Sequence, residues 1–243
     1  MTIYLAVANP AGGVGKSTTA HALAVAFAEY GRRTLLVDMD SRATLTFTLG
    51  IIQPRFSLVD VLRRDARADS AIVTTDHRFT FLPSDSRLSH VDNQDKDLVK
   101  TVMRFKEELA TLDVAYDYVI FDTPSNISQT LLLALELADF VIIPTNSSII
   151  SMRGALHVLD LIQASPEVGG TPTKLLGFLP CITQQNPELE RLREFGSLLE
   201  PAIPRSAAVA EEALHHKSIL NFAKQSSVSV AYRELAYFLL EGM

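Results

Sequence analysis

The stretch Asn9-Pro10-Ala11-Gly12-Gly13-Val14-Gly15-Lys16-Ser17-Thr18 follows an apolar run, Ile3 to Ala8, and precedes a helical pattern. Glycine lets the backbone come close to an anion, and the free amides at a helix start point the positive end of its dipole at one. A strand that turns through such a loop into a helix is a phosphate cradle. Lys16 would reach the β and γ phosphates of a nucleotide, and the Ser17 hydroxyl would sit on a magnesium ion. Gly12, Gly13, Val14, Gly15 and Thr18 complete the loop. A tight turn that merely needs glycine explains less, because the strand before, the Gly-Lys-Ser core and the helix after are all present.

Acidic residues end two other apolar runs. Asp38-Met39-Asp40 follows Thr34 to Val37, and Asp122 follows Tyr118-Val119-Ile120-Phe121. In an open α/β sheet, ligands bind in the crevice beyond the carboxyl ends of the strands. An acidic residue there is what a phosphate-loop protein uses to hold magnesium, directly or through water. Asp38 and Asp40 read by themselves are equally well a pair of solvated loop carboxylates or a helix N-cap. For Asp122 a capping role is unnecessary, since Ser125 or Asn126 is expected to start the next helix.

The elements that must position these groups alternate along the whole chain. After the loop, Ala20, Leu23, Ala24, Phe27 and Ala28 form one apolar stripe at helical spacing, closed by Gly31. Ser57 is expected to cap a short helix, Phe79 to Ser84 a strand, Asp95 to Leu112 a helix, Leu131 to Ala138 a helix, Phe140 to Pro144 and Lys174 to Pro180 strands, and Val230 to Glu241 a last helix. Continuous apolar strands separated by helices predict a mostly parallel, doubly wound sheet covered on both faces. The fold class is α/β, a P-loop NTPase, in a single domain over 1–243. Arg63, Arg64 and Arg67 are interleaved with Asp60, Asp65 and Asp69, which reads as a solvated, self-paired face.

A net charge of -6 argues against a protein that coats nucleic acid through bulk electrostatics. From Glu188 onward acidic residues outnumber basic ones, so non-specific DNA contact would have to be local. The single cysteine, Cys181, excludes an intrachain disulfide and a Cys-pair metal site, and read alone it is a small buried hydrophobe. No secretory leader and no run of membrane-spanning length is evident, so a cytoplasmic protein without a membrane role is expected.

The loop resembles the deviant Walker motif of the ParA and MinD partition ATPases, matching it at Gly12, Gly13, Gly15, Lys16 and Ser17, with Ala11 in place of the family's leading lysine. The segment from Asp38 to Thr46 resembles that family's switch I, with Ser41 and Arg42 replacing Pro-Gln. Tyr116 to Pro124 resembles its Walker B and switch II. The resemblance covers nearly the whole chain. It implies that Asp40 positions or activates the attacking water, that Asp38 and Asp122 with Ser17 belong to the magnesium shell, and that Pro180, Cys181, Pro204 and Arg205 flank the adenine. The missing lysine would have crossed an ATP-sandwich homodimer. Arg153, in a segment that borders the interface in the family, is the candidate substitute, a permanent charge suited to a developing phosphoryl anion.

The implied activity is slow hydrolysis of ATP with magnesium, stimulated by a ParB-like or other cargo-adaptor protein, in plasmid or chromosome partition. Positioning of a protein organelle such as the carboxysome, the McdA type, is the alternative cargo. A nucleotide-gated binding module with negligible hydrolysis is the rival from another class. A small-molecule ligase would need a substrate pocket that the sequence does not reveal.

Overall fold

The computed structural model describes residues 2–76, 78–94, 97–164, 172–181 and 187–243. The strands are β1 (Ile3–Val7), β2 (Thr34–Asp38), β3 (Val73–Thr74), β4 (Thr80–Leu82), β5 (Tyr118–Asp122), β6 (Phe140–Thr145) and β7 (Lys174–Pro180). They form one sheet in the order β3-β4-β2-β5-β1-β6-β7. Neighbours are parallel except β3 and β4, an antiparallel pair at one edge. β3 was not expected from sequence, because two residues are too few for a period-two pattern to register.

Alternate residues of each strand serve opposite faces. Leu5, Val7, Leu36, Ile120 and Ile142 face the helix α1 (Lys16–Glu29) and the last helix, Ser227–Gly242. Ala6, Leu35, Val37, Val119, Phe121, Val141 and Ile143 join the other core, with the helices Leu98–Ala110, Gln129–Leu137 and Ile149–Ala164. With both faces covered, a strand has no solvent side, which is why these runs are apolar throughout.

α1 departs from the expected single stripe. Its residues from Thr19 to Phe27 are at most 1% exposed on every side. The sheet covers one side and the last helix the other. Tyr232 of that helix shares a 2.9 Å hydrogen bond with Thr19, both groups buried. The C-terminus of α1 is as expected: Gly31 has φ 77, and Arg32 N–H reaches back to Phe27 O at 2.9 Å.

Two helix starts also differ. The last helix begins at Ser227, three residues before the apolar pattern, because Ser226 accepts from Ser229 N–H and caps it. The helix after β5 starts at Gln129, capped by Ser128 rather than by Ser125 or Asn126. Asp97 caps the helix Leu98–Ala110, whereas Asp95, where the sequence placed its start, lies outside the described residues. The arginine-rich segment is only partly self-paired: Arg67 meets Asp69, but Asp60 pairs with Arg87 from across the turn.

Tyr232→Phe removes the bond to Thr19 and leaves that buried hydroxyl with only the weaker Cys181 thiol beside it. It is expected to lower stability by about 1–2 kcal/mol with an unchanged denaturant slope, read by urea unfolding.

Candidate active site

Strand register brings the acidic residues together. Asp38 and Asp122 are direct neighbours across β2 and β5, and Asp122 stands beside Val7, the last residue of β1, from which the glycine loop departs. Gly13 and Gly15 have φ 70 and φ 92, left-handed values that admit L side chains only with strain. The loop is pinned from below by Asn9, whose Nδ2 donates to Pro144 O at 2.8 Å and Ser151 O at 3.1 Å while Oδ1 accepts from Ala11 N–H at 2.9 Å. Sequence reading passed over Asn9. Its signal was an asparagine ahead of a proline at a strand end, a turn-forming pair.

Lys16 opens α1 and is folded back over the loop, 5% exposed. Its Nζ donates to Ala11 O at 2.9 Å and to Ser125 Oγ at 2.7 Å. Ser125 is free to do this because Ser128 does the capping. Burial draws the Lys16 pKa down to about 8, against the pull of Asp122 and Asp40. Asp122 is 1% exposed, and neither carboxylate oxygen has a hydrogen-bond partner among the described residues. Burial, and secondarily the charge of Asp38, raise its pKa well above the usual carboxylate value, eased by the nearby Ser17 hydroxyl and Lys16.

Asp38 is differently placed. It accepts from Asp40 N–H at 3.0 Å on one oxygen, and from Thr46 N–H at 3.0 Å and Thr46 Oγ at 2.7 Å on the other. These bonds tie the loop after β2 to the strand end, while burial still raises its pKa to about 6. Asp40, 7% exposed, lies at the rim and is gripped by Arg42. A buried carboxylate with two unpaired oxygens beside a serine hydroxyl suits a magnesium ion that takes most of its remaining ligands from water and phosphate. Among the described residues there is no group of three or more His, Cys, Asp or Glu side chains that could hold a metal without such help.

The two segments expected around the base do meet. Cys181 bridges Ile203, and Ile203 N–H donates to Pro180 O at 2.7 Å, so Pro204 and Arg205 emerge next to the end of β7. Cys181 itself is 1% exposed, and its Sγ would lie 3.6 Å from a Cβ on Gly15, so this thiol packs beneath the loop. Thr18 lies close to Glu212, whose pKa burial pushes up to about 7.

Arg153 is exposed on the helix Ile149–Ala164 and lines a cleft of about 510 Å³ with Ala11, Ile127, Ile150, His157 and Asp160. The next residue, Gly154, makes this approach possible, since a Cβ there would collide with Asn9 Oδ1 and stand 3.3 Å from Ala11 N.

A carboxyl whose folded pKa is raised holds its proton more tightly when folded. Its contribution to stability is therefore present below the unfolded value and is lost as pH climbs through the folded one. Near neutral pH the Asp122 charge destabilises the fold. Asp122→Asn, in EDTA and without nucleotide, is expected to gain about 1–3 kcal/mol near pH 7 by urea unfolding, with the gain shrinking toward about pH 4.

Against known proteins, a family model described as an AAA domain matches residues 2–168. The chromosome partitioning protein ParA of Caulobacter vibrioides is 29% identical over 96% of this chain and 91% of its own length. A crystal structure of cobyrinic acid a,c-diamide synthase from Mycobacterium smegmatis, with bound ATP analog and magnesium, superposes with a TM-score of 0.83 at 32% identity, covering 99% of this chain and 95% of that one. Apo McdA from Cyanothece superposes with a TM-score of 0.84 at 20% identity over 99% of this chain and 100% of its own, a likeness of fold. With a loop, a strand register and a match of this extent, the chain belongs to the ParA/MinD-type ATPases of that AAA-domain family.

Proposed function

We propose that the chain is a single-domain ATPase that binds Mg·ATP, dimerises across it and hydrolyses it slowly to partition or position cargo. The observation that carries this reading is the convergence of Lys16, Ser17 and the unpaired Asp122 carboxylate at adjoining strand ends, with Asp40 at the rim. Lys16 would hold the β and γ phosphates, Ser17 and Asp122 the magnesium ion, and Asp40 the attacking water. Asp38 would act on the metal through the loop it ties down. Gly12, Gly13, Val14, Gly15 and Thr18 would cradle the phosphates, and Pro180, Pro204 and Arg205 would flank the adenine. Magnesium supplies charge neutralisation at the transferring phosphoryl group.

The dimer is supported by Ile127, Ile149 and Ile150, which are 49%, 76% and 75% exposed around the Arg153 cleft. Exposed aliphatics grouped beside a ligand site are the mark of a surface that becomes covered. Arg153 would then face the partner's nucleotide where Ala11 offers no charge. The partner that speeds turnover is an adaptor carrying the cargo, and the name of the Caulobacter relative, a chromosome partitioning protein, supports a chromosome as that cargo. DNA contact is weakly supported, because Arg193 pairs with Glu190 and Arg233 with Glu29.

ADP formation from ATP, with magnesium and with no other substrate, tests the activity. Turnover is expected in the wild type and should fall by at least about 10²-fold in Asp40→Ala; wild-type turnover equal to that variant would overturn the ATPase reading and leave a nucleotide-gated binding module or an enzyme that needs a second substrate. The M. smegmatis neighbour, a synthase by name, supplies the second reading. Such an enzyme would release ADP only when a carboxylic acid and a nitrogen donor were added. Arg153→Ala is expected to abolish dimerisation with a non-hydrolysable triphosphate, measured by sedimentation; an intact dimer with full turnover would remove Arg153 from the site.

A further inference from the structure

Arg42 grips Asp40 with an unusual completeness. Its Nε lies 3.2 and 3.1 Å from the two carboxylate oxygens, its Nη2 donates to Oδ2 at 2.6 Å, and its own backbone N–H donates to Oδ1 at 2.9 Å. These contacts take up the acceptor capacity of one carboxylate. Asp40 so held has little left to offer the hydrogen of a water molecule.

The backbone beneath the pair is fixed. Asp40 O accepts from Ser84 Oγ and from Ala43 N–H, both at 2.8 Å, and Asp38 secures the loop on its other side. Of the two partners the guanidinium is the one that faces solvent, for the Arg42 side chain is 63% exposed while that of Asp40 is 11% exposed. Its charge already acts on the interior of the site, where it opposes protonation of Lys16 and interacts with Asp122. Arg42 therefore stands on the water side of the phosphate loop, within electrostatic reach of both groups that would hold the nucleotide.

We propose that Arg42 is a second phosphate-site cation supplied in cis beside Lys16: with a nucleoside triphosphate bound, its guanidinium leaves Asp40 for the γ-phosphate, and the released carboxylate accepts a hydrogen bond from the attacking water. A γ-phosphate carries more charge than a carboxylate and matches the same planar fork, so the exchange runs toward the triphosphate and not toward a diphosphate, which places no phosphate at the γ position. In the reaction the water oxygen bonds to the γ phosphorus as its bond to the β–γ bridging oxygen breaks. ADP departs with that oxygen, while one water hydrogen stays on the oxygen that joins phosphorus and the other passes to a second oxygen of the released phosphate. The inference rests on the ATPase reading and adds the means by which the site distinguishes ATP from ADP.

Calorimetric titration of wild type, Arg42→Ala and Arg42→Lys with Mg·AMPPNP and with Mg·ADP tests it, alongside ATP turnover. Arg42→Ala is expected to lose about tenfold or more in affinity for the triphosphate analogue while ADP affinity, which also reports an intact fold, is unchanged. Turnover should fall by about 10²-fold, with Arg42→Lys between the two. Unchanged triphosphate affinity, or an equal loss for both nucleotides, overturns the proposal. So does faster turnover in Arg42→Ala, the mark of a residue that only restrains Asp40. Wild-type protein that takes up neither nucleotide would sink the ATPase reading itself, a separate result.

Discussion

Two carboxylates are buried side by side at the ends of adjacent parallel strands, and the geometry around the nucleotide loop answers to their charge. Asp38 is satisfied by three hydrogen bonds from the loop that follows it, whereas Asp122 has none among the described residues. Lys16 is the nearest compensation, and it too is buried and held by neutral acceptors. Burying charge without a matched partner costs more than the attraction across a low-dielectric gap returns. Such an arrangement is tolerable at a site designed to receive ions of both signs. A triphosphate would bring negative charge to Lys16, and its metal would bring positive charge to Asp122.

The rest of the architecture holds that arrangement still. Parallel pairing sets Asp38, Asp122 and Val7 in register, so the acids and the loop cannot drift apart without breaking the centre of the sheet. Asn9 fastens the loop to β6 and to the helix Ile149–Ala164, and Thr123 Oγ donates to Val7 O at 2.9 Å, fastening β5 to β1 just below the site. Rigid support of this kind lets a phosphate site act by positioning, with little reorganisation when charge develops.

Much of this was legible because the strands are buried on both faces, so each leaves a continuous apolar run with its acidic residue at the end. The Gly-Lys-Ser core locates the site for the same reason: few other tasks combine strand, glycine, lysine and hydroxyl. Contacts between distant segments left no such mark. Tyr232 pairs with Thr19, Lys16 with Ser125 and Glu212 sits near Thr18, and nothing in the local spacing of either partner announces the other. Capping serines were misjudged where several lay close together, since any of Ser125, Asn126 and Ser128 satisfies the local rule and only the packing of the helix selects one. The Asp40–Arg42 grip was missed although the two are neighbours in sequence, because side-chain direction at a loop is set by the turn that Ala43 makes at φ 51.

The roof over α1 comes from the far end of the chain: 213 residues separate Thr19 from Tyr232. During synthesis the glycine loop and its strand emerge well before the helix Ser227–Gly242, and α1 keeps one flank open to water until that helix has left the ribosome. Loop closure over such a span is a late event in folding. Nascent chains would therefore hold an unroofed α1, and a truncated polypeptide would expose the alanine-rich flank of that helix to whatever chaperone or neighbour first met it.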